Sequence, residues 1–71
     1  MYYLIEKATT TQGTAKAITD KSDLTSATMA LHQVMASAMA NADVINALAM
    51  IIDDTGAVQR HEYWVRNGES E

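Results

Sequence analysis

Ile51-Ile52-Asp53-Asp54-Thr55-Gly56-Ala57-Val58 is the stretch whose reading decides the fold. Asp side chains favour a type I turn because their carboxylates accept hydrogen bonds from amides just ahead of them, and Gly56 suits the left-handed position that follows. A hairpin here requires a strand on each side. Upstream, Val44-Ile45-Asn46-Ala47-Leu48-Ala49-Met50-Ile51-Ile52 is apolar enough for a buried helix or a buried strand, and periodicity alone does not separate them. The turn does: Val44 to Ile52 reads as a strand, and Val58 to Val65 as its returning partner.

Before this hairpin, Asn41-Ala42-Asp43 marks the exit of a helix whose entry lies at Asp20-Lys21-Ser22-Asp23, where Ser and Asp side chains accept from the first free amides. At 100° per residue, Leu24, Ala27, Leu31, Val34, Met35, Ala38 and Ala42 gather on one stripe, with Thr28 and Met39 at its margin. That stripe is expected to face a sheet. Tyr2 to Ala8 is rich in aromatic and branched residues, and Thr9-Thr10-Thr11-Gln12-Gly13 turns it into a second strand near Thr14 to Thr19. The expected fold is therefore α+β, in the order β-β-α-β-β, with a four-stranded, mostly antiparallel sheet and one helix packed on one face. It forms a single domain over residues 1–66, and Asn67-Gly68-Glu69-Ser70-Glu71 reads as a flexible tail.

A chain of 71 residues is one domain with a marginal core, which supplies on the order of 3 to 5 kcal/mol. There is no cysteine, so no disulfide compensates, and a second subunit is the expected source of further burial. The net charge of -4 and the scatter of Lys7, Lys16, Lys21, Arg60 and Arg66 argue against non-specific binding to nucleic acid or anionic membrane, which needs clustered cations. Met1 to Lys7 has neither the length nor the charge order of a signal peptide. The uncharged run Leu24 to Ala42 carries His32, Gln33 and Asn41 and is not a membrane span. The expected location is the cytoplasm.

Two apolar surfaces have no evident cover. Between Asp23 and Asp43 there is no Lys, Arg, Asp or Glu, and the helix face opposite the core stripe carries Met29, Gln33, Ala36, Ser37 and Ala40. On the third strand, Val44, Leu48, Met50 and Ile52 are assigned to the core, which leaves Ile45, Ala47, Ala49 and Ile51 on the other side. These nine residues are the candidate subunit interface of a homo-oligomer, most simply a two-fold dimer.

The inventory for catalysis is thin: two histidines, no cysteine, no Gly-rich phosphate loop, no HExxH and no GxSxG, so no enzyme is expected. His32 lies at the edge of the core stripe and reads as a packing residue. Asp53-Asp54 lacks the further ligands that calcium requires and reads as turn chemistry, and no metal or cofactor is expected. The most varied segment is Arg60-His61-Glu62-Tyr63-Trp64-Val65-Arg66. In a strand, Arg60, Glu62 and Trp64 share one face while His61 and Tyr63 share the other. Arg60, His61, Tyr63, Trp64 and Arg66 are the candidate ligand site, because a guanidinium beside an aromatic ring can stack a base or hold a phosphate. Tyr2 and Tyr3 would join them if the terminal strands paired. The competing reading makes Trp64 a core residue and the Arg-Glu alternation a solvated surface.

The runs Tyr2 to Lys7, Leu31-His32-Gln33-Val34-Met35-Ala36-Ser37-Ala38-Met39-Ala40-Asn41, and Ile52 to Gly56 followed by Tyr63-Trp64 resemble small accessory proteins of phages and prophages of Firmicutes. The resemblance brings no catalytic residues with it. It implies a binding protein that blocks host anti-phage defence, by sequestering a small nucleotide signal between subunits or by occupying the surface of a defence protein or nuclease. The third alternative is a structural or assembly subunit with no small ligand.

Overall fold

The computed structural model of the chain describes residues 1–66, so the tail expected over 67–71 lies outside the described residues. The element order is β1 (Tyr2–Thr10), β2 (Gly13–Lys21), α1 (Leu24–Ala40), β3 (Val44–Asp53) and β4 (Val58–Val65). These form the expected α+β fold, with all strand pairings antiparallel and the sheet ordered β2-β1-β3-β4. The helix carries the chain from the β2 edge back to the middle of the sheet. Since β3 lies between β1 and β4, Tyr2 and Tyr3 are not neighbours of the β4 cluster.

Local chemistry accounts for the element ends. Asp23 caps α1 by accepting from the Ser26 amide at 2.7 Å, which satisfies one of the free donors of the first turn. At the other end, the Asn41 amide donates to the Ser37 and Ala38 carbonyls, and the Asn41 side-chain oxygen accepts from the Asp43 amide at 3.0 Å. In the β3–β4 turn, the Asp53 carboxylate accepts from the Thr55 amide at 2.8 Å, the Thr55 hydroxyl at 2.5 Å, the Ala57 amide at 3.1 Å and Gln59 Nε2 at 2.9 Å. Gly56 sits at φ 87°, where a Cβ would be strained. The turn is built around one carboxylate.

The core lies between α1 and one sheet face. Ala27, Leu31, Met35 and Ala38 of the helix are buried, as the stripe predicts, with Ala30 and Val34 packed against them. Leu24 is 38% exposed, because it opens the helix beyond the sheet's cover, and Ala42 follows the helix in an exposed turn. His32 is exposed and not a packing residue.

Apart from Val44, which is buried as expected, the β3 faces are the reverse of the sequence expectation. Ala47, Ala49 and Ile51 are buried under the helix at 1% exposure or less, together with Val44 and with Leu4 of β1. Leu48, Met50 and Ile52 point to the other side and are only half-buried. The physical reason is helix approach: small residues at 47 and 49 let the larger Leu31 and Met35 side chains pack close to the sheet. Three of the four β3 positions expected at a subunit interface are thus core positions. The fourth, Ile45, sits at a register irregularity, where Thr9 pairs with Asn46 and Thr10 with Val44.

Candidate functional site

The five candidate ligand residues, four on β4 and Arg66 just after it, do not converge. Register places Arg60 opposite Ile51, Glu62 opposite Ala49 and Trp64 opposite Ala47, on the helix side of the sheet. His61 lies opposite Met50 and Tyr63 opposite Leu48, on the helix-free side. Arg60 and Trp64 share a face as expected, but four residue steps along the strand separate them by about 13 Å.

Arg66 is already engaged. Its Nε donates to the Val44 carbonyl at 2.8 Å, and its Nη2 donates to the carbonyls of Asn41 at 2.7 Å, Met39 at 3.2 Å and Ala38 at 3.5 Å. A helix C-terminus exposes carbonyls that lack intrahelical partners and carries partial negative charge, so a guanidinium there stabilises both features. The same guanidinium lies 4.8 Å from the Trp64 ring centroid, within cation–π range, and Trp64 packs against the core. Trp64 and Arg66 therefore fasten β4 to the end of α1.

The helix-free face is the larger apolar feature. Its middle row, read across the four strands, is Ile18, Ile5, Met50 and His61. On one side of this row lie Lys16, Lys7, Leu48 and Tyr63, and on the other Asp20, Tyr3, Ile52 and Val58. Ile18 is 68% exposed, Val58 56% and Tyr63 41%. Ile18 is the one large apolar side chain of β2, and it points away from the helix. Sequence reasoning expects an uncovered apolar side of β3 but gives it the wrong residues, because both alternations of the strand are apolar. The available signal was Ile18 itself, set between Lys16 and Asp20 with nothing on its own strand to bury it.

On the helix side, α1 covers the centre of the sheet and leaves a groove of about 490 Å3 toward β2, lined among others by Leu4, Glu6, Thr19, Lys21, Gln33 and Val34. Met29 at 61% exposure, Gln33, Ala36, Ser37 and Ala40 form the outward helix surface, where the sequence placed them. They are mostly small, and they lie across the sheet from the apolar row.

Three carboxylates are held below their ordinary range by the donors that surround them. For Asp53 the Thr55 hydroxyl is the main cause, followed by the Thr55 amide. For Asp54 the chief cause is the Met1 ammonium at 2.9 Å, then the Tyr3 hydroxyl at 3.1 Å, and in the same contact Asp54 pushes the Tyr3 phenol up. For Asp23 it is the Ser26 amide of the helix cap. All three serve turns or element ends. Among the described residues, no group of three or more His, Cys, Asp or Glu side chains is placed to hold a metal ion, and no helix is long and apolar enough to cross a membrane.

Comparison with protein-family models, with curated proteins and with solved structures finds no match to the chain.

Proposed function

We propose that the protein acts by binding and not by catalysis, as a homodimer whose subunits meet through the helix-free sheet face. The observation that carries this reading is the row Ile18, Ile5 and Met50, flanked by Leu48, Ile52 and Val58, on a face that no second layer covers among the described residues. A contiguous apolar patch on a small domain marks an interaction site, and a domain of this size gains stability from covering it.

Following the sequence resemblance, we assign the dimer to a phage or prophage accessory role in the host cytoplasm, blocking an anti-phage defence by occupying the surface of a host protein. The supports are the net charge of -4 and a 17-residue helix without a charged side chain, whose outward surface stays available when the opposite sheet face is covered. Sequestration of a small nucleotide is less well supported. The expected stacking platform is taken, with the Trp64 ring facing Arg66 and Arg66 bound to four carbonyls.

Native mass spectrometry of the purified protein at tens of micromolar, bare and after incubation with a nucleotide pool, tests both points. A dimer without added mass is expected. A dimer carrying a discrete nucleotide mass would restore sequestration, and a monomer would contradict the proposed function.

A further inference from the structure

We infer that the two copies pack their helix-free sheets around a two-fold axis that runs along the row Ile18, Ile5, Met50 and His61, so that Lys16 of each copy meets Asp20 of the other. The inference rests on the proposed dimer and adds its geometry and the charge pattern that selects it.

Two sheets stacked face to face can be related by an in-plane axis along the strands or by one across them. The first sets like end over like end. It would bring the Lys7 and Lys16 ends of both copies together, four ammonium groups around an apolar seam. The second exchanges the flanking rows. Lys16 then lies over Asp20, Leu48 over Ile52 and Tyr63 over Val58, while Ile18, Ile5 and Met50 each meet their own counterpart.

The charges within one copy favour the second arrangement. Lys7 and Lys16 are direct cross-strand partners, a like-charge pairing that destabilises a sheet on its own. The ion pair found among the described residues is that of the Met1 ammonium with Asp54, so Lys7, Lys16 and Asp20 have no such partner within the described chain. A second copy turned end for end supplies one. Sheets that stack aligned cross at about 30°, which displaces groups on an edge strand by roughly 4 Å, less than the reach of a lysine side chain.

The area suffices and the edges offer a poorer alternative. The molecule measures 33 × 19 × 19 Å. A face of that length and width gives roughly 600 Å2 per copy and about 1,200 Å2 for the pair, the lower end of the range for specific interfaces. The two edge strands carry exposed charges, Lys16 and Asp20 on β2 and Arg60 and Glu62 on β4, the usual device against strand addition.

The test uses Lys16→Asp and Asp20→Lys, separately, mixed, and combined in one chain, with sedimentation velocity and native mass spectrometry as readouts. Each single variant sets like charges against each other at two symmetric places, so self-association should weaken about tenfold. Mixing the two single variants should give heterodimers well above the statistical half, because each then meets its opposite. The combined variant should associate as the wild type does. Recovery in the mixture also shows that both variants are folded. A wild-type dimer that is indifferent to both substitutions, or a mixture at the statistical proportion, would overturn this geometry while leaving the proposed dimer intact. A wild-type monomer would overturn both.

Discussion

The guanidinium of Arg66 stands 4.8 Å from the centre of the Trp64 ring while donating to carbonyls at the end of α1 and the start of β3. A pair that looks in sequence like a ligand platform is thus the fastening between the last strand and the helix. Arg66→Ala should cost about 2 kcal/mol of stability, the scale of hydrogen bonds made by a charged group together with lost packing. Arg66→Lys should recover only part of that, since an ammonium lacks the planar fork that spans several carbonyls. Urea unfolding followed by the fluorescence of the single tryptophan measures both; a loss no larger than at an exposed arginine such as Arg60 would refute the fastening role.

Ala49 and Met50 are adjacent in sequence and belong to opposite faces, Ala49 fully buried under the helix and Met50 half-buried on the helix-free side. Ala49→Leu should force the helix away from the sheet and destabilise by about 2 kcal/mol, the usual cost of overpacking. Met50→Leu conserves volume and should change stability by less than about 1.5 kcal/mol. Thermal unfolding of the two variants decides between the faces, and equal effects would mean that the assignment is wrong.

How much of this was legible in the sequence varied by element. The Asp53-Asp54-Thr55-Gly56 turn, the helix entry at Asp23 and the stripe through Ala27, Leu31, Met35 and Ala38 could be read because each rests on chemistry local to a few residues. The sides of β3 could not, since Leu48, Met50 and Ile52 are larger than Ala47 and Ala49 and size alone favours them for the core. What reverses the choice is the distance at which a helix 17 residues long can settle on the sheet, a tertiary requirement. Arg66 reads in sequence as a candidate ligand residue because the carbonyls it binds lie up to 28 residues away, across a contact that the fold creates. Lys16 reads in sequence as one of five scattered cations and Asp20 as part of the helix entry, and only the pairing of β2 with β1 makes them the two ends of one face.

Asp53 should contribute to the acid limb of stability, beside Asp23 and Asp54. Donors from Thr55, Ala57 and Gln59 hold its carboxylate pKa below the ordinary value in the folded state, so the folded chain binds fewer protons than the unfolded one. The resulting stabilisation is present above the unfolded pKa, near 4, and is lost as pH falls through the lower folded value. Asp53→Asn should lower stability at pH 7 and flatten the fall below pH 4, as measured by thermal unfolding between pH 2 and pH 7. An unchanged acid slope would show that Asp53 does not organise the turn.

The claim on which the account turns is that the helix-free sheet face is the working surface, and sedimentation equilibrium of the wild type beside Met50→Asp tests it most directly. A carboxylate at the centre of the apolar row would be buried without a partner in the dimer but solvated in the monomer. The account predicts a wild-type dimer at tens of micromolar and a folded monomer for Met50→Asp, with the helical circular dichroism signal of the two proteins the same. A variant that remains fully dimeric, or a wild type that sediments as a monomer, would contradict it.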